Sequence, residues 1–207
     1  MKKAAKLLIP GLLMVVMAGE ANAYWIDVNW GSYHSITLKL TGYNGGNNFT
    51  VNIGPANGRE AASQAGLNSA PTNQFFCVDV TKGTSSGTDY EVDRHTQADG
   101  TAGWTTPTWD LDNLRSPAGL GRAAMLANRF GYSGSTDSNS IAAGSGALNT
   151  AGSDKNKRTI ALNVAIWNAA YGSALTYMNG LDAQETGYYD TYMAAYNTGA
   201  SDNAYVW

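Results

Sequence analysis

Over residues 24–94 the apolar positions recur with a period of two. Tyr24, Ile26, Val28 and Trp30 alternate with polar residues, the pattern of a half-buried strand. His34, Ile36, Leu38 and Leu40 form a second such face, with Ser35, Thr37 and Lys39 opposite. Asn44-Gly45-Gly46-Asn47 supplies residues that tolerate positive φ, and Phe49, Val51 and Ile53 then resume the alternation. That succession predicts a β-hairpin. Residues 74–80 predict a further strand, with residues 88–93 as its partner. Residues 55–73, rich in Gly, Ala, Ser, Asn and Pro, predict a loop.

After Trp109 the period becomes helical. Ser116 before Pro117 is an N-cap followed by proline at the first helical position, and Gly131 closes the predicted helix 117–130. A second helix is predicted over about 157–171, stopped by Gly172. A third is opened by Asp182 with Glu185 three residues on, a capping-box spacing. Its stripe is Tyr189, Tyr192, Met193 and Tyr196. The low-complexity polar stretch at about 131–156 predicts a flexible insertion. Strands followed by helices predict an α+β class, with an antiparallel β-sandwich or small barrel carrying a helical subdomain.

The first 23 residues read differently. Lys2, Lys3 and Lys6 precede an apolar core of about 12 residues, and Ala21-Asn22-Ala23 is a small-residue cleavage site. This predicts a secretory signal peptide over 1–23, a single mature domain over 24–207, and an extracellular, periplasmic or cell-surface location. The core is shorter than the ~20 residues a spanning helix needs, so no membrane span is expected after cleavage.

Composition narrows the chemistry. Charged residues make up 14% of the chain, against about 25% in average domains. The surface is therefore solvated largely by neutral polar groups. The net charge of -3 excludes nucleic-acid binding through a basic patch. One cysteine excludes an intrachain disulfide framework and a multi-thiolate metal site. No cofactor and no metal is expected. Asp110-x-Asp112 and Asp137-x-Asn139 offer oxygen ligands, but neither extends to a complete calcium loop.

Cys77 lies in Phe75-Phe76-Cys77-Val78-Asp79-Val80, where alternation puts Phe76 on one face and Cys77 with Phe75 and Asp79 on the other. It reads either as a small buried hydrophobe or as a nucleophile. The hydrolase reading needs a base. The two histidines serve it poorly, because His34 sits on an apolar strand face and His95 in a polar stretch. On the second helix, Ile160, Asn163, Val164, Trp167 and Tyr171 share one face. Asn163 therefore points inward, and a buried amide calls for a hydrogen-bond partner.

Three segments in order, FCVD (76–79 with its preceding Phe75), RAAMLANRFG (122–131) and ALNVAIWNAAYG (161–172), resemble the secreted thioester-domain family. They are most similar to its relatives among bacterial PEP-CTERM, exosortase-sorted proteins. The resemblance covers about residues 74–207. It implies a thioester-domain-like fold in which a strand cysteine condenses with a helix glutamine amide and expels ammonia. The resulting internal thioester acylates an amine on a partner surface. By that resemblance Cys77 takes the thiol position and Asn163 the carboxamide position, with Phe76, Asp79 and Trp167 supporting the site. Two departures matter. Asn163 is one methylene shorter than glutamine, about 1.5 Å of reach, and a misplacement near 1 Å costs about 10²-fold. The final residues, 202–207, carry no Pro-Glu-Pro sorting signal, so exosortase anchoring is not expected.

The expectation is therefore a secreted, non-enzymatic surface or adhesive protein with a degenerate Cys77/Asn163 site. Its expected partners are extracellular polysaccharide or a surface protein amine. The alternatives are a covalent adhesin with an active thioester, and a carbohydrate-binding module using Trp104, Trp109, Tyr132, Tyr177 and Tyr188.

Overall fold

The computed structural model describes residues 12–14, 24–32, 34–70, 72–77, 87–92, 95–96, 117–198 and 205–206. In chain order the elements are β1 (Leu12–Met14), β2 (Tyr24–Trp30), β3 (His34–Leu40), β4 (Asn48–Ile53), β5 (Ala56–Ala61), β6 (Thr72–Cys77), β7 (Thr88–Val92), β8 (His95–Thr96), α1 (Pro117–Leu126), α2 (Asp154–Tyr171), β9 (Leu175–Asn179), α3 (Ala183–Tyr196) and β10 (Tyr205–Val206). The class is α+β, with two antiparallel sheets and a set of helices. The larger sheet has the order β7-β2-β5-β6-β1-β10-β8, and the smaller β4-β3-β9.

One long ribbon runs through both sheets. β2 pairs with β5 up to Trp30↔Ala56, and β3 pairs with β4 from His34↔Ile53. The ribbon breaks where Pro55 cannot donate to a ladder, and the Gly31 N–H donates instead to the Pro55 carbonyl at 2.8 Å. A side chain at Gly31 would meet Pro55 Cγ and Asn149 Oδ1, both at 2.7 Å. The expected hairpin is present as β3–β4, with Asn44, Gly45 and Gly46 all at positive φ in its turn.

The predicted loop over 55–73 instead contains β5, the first residues of β6, and a short 3-10 helix capped by Ser63. β5 sits between β2 and β6 despite lacking β-branched and aromatic residues. Gly58 makes this possible. A Cβ there would lie 1.7 Å from the Asp27 carbonyl oxygen and 2.5 Å from the Phe75 ring. Asp27 is buried beside it, accepting from the Arg59 N–H at 2.5 Å and from Arg59 Nε at 3.0 Å. A second correction concerns β7, which was expected to partner the Cys77 strand and pairs with β2 instead.

α1 passes into a single wide π-type turn, Ala127–Gly131, rather than running as one regular helix to 130. α2 begins at Asp154, three residues earlier than expected, because the Ser153 hydroxyl caps it by accepting from the Asn156 N–H. Fourteen of its 18 residues are buried, so it has no single inner face. α3 is opened by the expected capping box: Asp182 accepts from the Gln184 and Glu185 N–H groups, and Glu185 accepts from the Asp182 N–H.

The polar stretch before α2 carries several ties to the helices. Arg158 donates to the carbonyls of Ser138 at 2.8 Å and Ser140 at 3.0 Å. Tyr192 donates to the Asn139 carbonyl, and Asn156 to the Leu148 carbonyl. The Ile141 N–H donates to the Phe130 carbonyl at 2.7 Å. No helix among the described residues is long and apolar enough to cross a membrane.

Candidate functional site

β6 approaches α2 through Gln74 and Phe76. Gln74 Nε2 donates to Thr159 Oγ1 at 3.2 Å, joining strand to helix, and Thr159 in turn donates to the Lys155 carbonyl. Two residues on, Phe76 belongs to the helical core. Its ring lies against Gly131, where an added Cβ would stand 2.6 Å from two ring carbons and 3.4 Å from Leu162 Cδ2. Gly131 thus lets the π-type turn close over both residues. Phe75 takes the opposite face, sharing it with Ala56 and Trp30 across the ladder. Cys77 is the last residue of β6 and stands opposite Leu12 in the register. Asp79 lies outside the described residues.

Asn163 follows Leu162 on α2 and stands one helical turn beyond Thr159, on the same side. It is 4% exposed. Among the described residues none donates to its carboxamide oxygen or accepts from its amide. The neighbouring polar groups of α2 differ in this: Asn156, Arg158 and Thr159 all have acceptors. Trp167 stands one further turn along, again at i+4, and is also 4% exposed. Its indole N–H is buried without a partner. Asn163 and the orphaned Trp167 indole thus follow one another along the β6 side of α2. An unpaired buried group such as that indole costs about 1–3 kcal/mol, and it calls for a physical explanation. The sequence pattern identified Asn163 as inward-facing, and the missing partner for Trp167 has no signature in sequence.

The other candidates separate. Trp104, Trp109, Asp110 and Asp112 lie outside the described residues. Tyr132 is exposed at 59%. Tyr177 and Tyr188 are engaged internally: the Tyr177 hydroxyl accepts from the Leu181 N–H, and the Tyr188 hydroxyl donates to Asp154 at 2.5 Å beneath the Arg158 guanidinium. Asp137 is paired with Arg129 at 2.8 Å, and its second oxygen accepts from the Asn139 N–H. No group of three or more potential metal ligands occurs among the described residues. His34 lies with Glu185 and the Gly180 carbonyl, away from β6. His95 is in β8.

No family model, no curated protein and no solved structure matches the chain.

Proposed function

We propose that this chain is a secreted cell-envelope or extracellular protein of the thioester-domain type. Its Cys77/Asn163 pair is a non-covalent remnant of the thioester site, and its role is surface or adhesive attachment rather than catalysis. In this reading β1 lies within residues 1–23 and leaves with the signal peptide, so that β7-β2-β5-β6 and the smaller sheet make the sandwich or small barrel of that fold, and α1 to α3 its helical subdomain. The observation that carries the reading is the position of the Asn163 side chain, 4% exposed, on the side of α2 that β6 approaches through Gln74 and Phe76 and one turn before the unpartnered Trp167 indole. Phe76 already faces the helices. A Cys77–Asn163 contact therefore requires the chain to leave strand alternation at Cys77, where β6 ends.

In an active site of this type the thiol sulfur attacks the carboxamide carbon, the C–N bond breaks, and ammonia departs with the thiol proton. Asparagine holds that carbon one bond nearer the helix than glutamine does. The contact is then a hydrogen bond between thiol and amide, and Cys77 stays a free thiol.

Intact mass and alkylation of the chain over 24–207 test this. The wild type is expected at its full sequence mass, with Cys77 alkylated completely after denaturation. Asn163→Gln restores the missing methylene. It is expected to lose one ammonia in mass, to resist alkylation, and to take up methylamine at residue 163. An Asn163→Gln chain that keeps full mass and an alkylatable Cys77 overturns the shared site. A wild-type chain that has already lost ammonia and takes up methylamine overturns the non-covalent reading in favour of an active covalent adhesin.

A further inference from the structure

His34 opens β3 with its ring between two acceptors. Nε2 makes a short hydrogen bond to the Gly180 carbonyl, in the turn between β9 and α3. Nδ1 lies 3.5 Å from Glu185 Oε1. The Glu185 side chain is 3% exposed, and its other oxygen accepts from the Asp182 N–H at 2.8 Å. A carbonyl has no hydrogen to give, so Nε2 must carry one. That leaves Nδ1 facing a buried carboxylate oxygen, and the contact is attractive only if one further proton lies between them. The proton sits on the ring as an ion pair or on the carboxyl as an O–H···N bond. Without it two lone pairs face each other beside a carboxylate that is almost wholly buried.

The surroundings reinforce this. Burial pushes the Glu185 carboxyl up, against the Asp182 N–H and the His34 ring, which act to lower it. From α3, the Asp182 carboxylate also raises it. From α2, Lys157 lowers it, but its Nζ is held 2.7 Å from Asp182 Oδ2. From β4, the register sets uncharged Ile53 opposite His34. From β9, Tyr177 spends its hydroxyl on the Leu181 N–H. The backbone is close as well. Gly180 sits at φ +121, and a Cβ there would be 2.7 Å from Ile36 Cα. The β9–α3 turn therefore lies directly on β3, and His34 and Glu185 are the side chains that fasten it.

We propose that His34 and Glu185 form a proton-gated latch that docks the N-terminus of α3 and its preceding turn onto the small sheet. The pair is attractive only while it holds the shared proton, so the latch is present while that proton is bound and is lost as rising pH removes it. A protein exposed to external pH would carry a loosening turn at one end of its smaller sheet on the alkaline side.

The test uses His34→Gln, which keeps an N–H for the Gly180 carbonyl but does not titrate, and Glu185→Gln, which keeps an acceptor for the Asp182 N–H. Between about pH 5.5 and 8.5 the wild-type Tm is expected to fall about 2–4 °C further than that of either variant. Hydrogen exchange at Leu181 and Glu185, corrected for intrinsic base catalysis, should accelerate over the same range in the wild type alone. Parallel Tm curves for all three proteins overturn the latch. If neither variant folds, His95→Asn leaves His34 as the one histidine, and its ring resonance is followed instead. Two coupled proton steps in the folded protein support the latch. One step identical to that of the urea-unfolded chain overturns it.

Discussion

Arg158 decides whether the polar stretch before α2 is held against the helices, and replacing it with methionine isolates that role. The guanidinium of this 9%-exposed residue makes three kinds of contact. It donates to the Ser138 and Ser140 carbonyls, donates to Asp154 Oδ2 at 3.0 Å, and covers the Tyr188 ring at 4.5 Å. Methionine keeps the apolar stem and removes all three. Ser140 is fully buried, so its carbonyl loses a donor that water cannot replace, at about 1–3 kcal/mol. The Asp154 pair is partly exposed, and its loss adds about 0.5–1 kcal/mol. The total, about 1.5–4 kcal/mol, corresponds to a Tm lower by about 3–16 °C for a chain of this length. Hydrogen exchange locates the effect. The amides of Ile141 and Gly144, which donate to Phe130 and Ile141 carbonyls, should lose protection, while those of β3 and β4 keep theirs. Arg158→Lys is expected to recover only the Asp154 contact, since a single ammonium cannot reproduce the planar fork. A methionine variant within 1 °C of wild type, with Ile141 still protected, would refute this account of how the stretch is held.

Gly119→Ala would place a Cβ 2.6 Å from the Ala170 carbonyl oxygen and 2.7 Å from that of Ala169. These are backbone atoms of α2 that cannot rotate aside, so a loss of about 1–3 kcal/mol should appear as a lower urea midpoint at unchanged slope. The protein should also lose stability in acid. For Asp154 burial acts upward, but the Tyr188 hydroxyl and Arg158 hold the carboxyl below its ordinary value. For Asp182 burial also acts upward, and Lys157 and the Glu185 N–H outweigh it. Depressed carboxyls stabilise above the ordinary aspartate range, about 3.9, and that contribution is lost as pH falls through the folded value. Tm measured from about pH 5 to 2 should drop accordingly. Asp182→Asn, which keeps a capping oxygen without the charge, should flatten part of that fall.

The elements legible in the sequence were those whose local chemistry agrees with their tertiary setting. Ile36, Leu38 and Leu40 alternate because one side of β3 faces the helical core, and all three are fully buried. The Asp182/Glu185 spacing gave the start of α3 to the residue. β5 was missed because Ala56-Asn57-Gly58-Arg59-Glu60-Ala61 carries no strand propensity. What makes it a strand is the space between β2 and β6 that only Gly58 fits. The partner of β7 was missed because pairing across a sheet leaves no trace in the periodicity of either strand. At the candidate site, Asn163 announced itself as a polar residue on an apolar face. The unpaired indole of Trp167 did not, since burial and partnership depend on chain far away in sequence.

α2 is buried along most of its length, and its partners come from distant parts of the chain: Gln74, 85 residues before Thr159, and Tyr188 and Tyr189 of α3, bonded to Asp154 and Asn168. A helix buried to this extent draws little of its stability from its own sequence and most from what surrounds it. It cannot persist while either the strands or α3 are absent, and neither of these can bury its inner side without it. Folding and unfolding therefore involve both halves of the chain at once. The long sequence separations make this a slow, single cooperative event rather than the stepwise assembly of a sheet and a bundle.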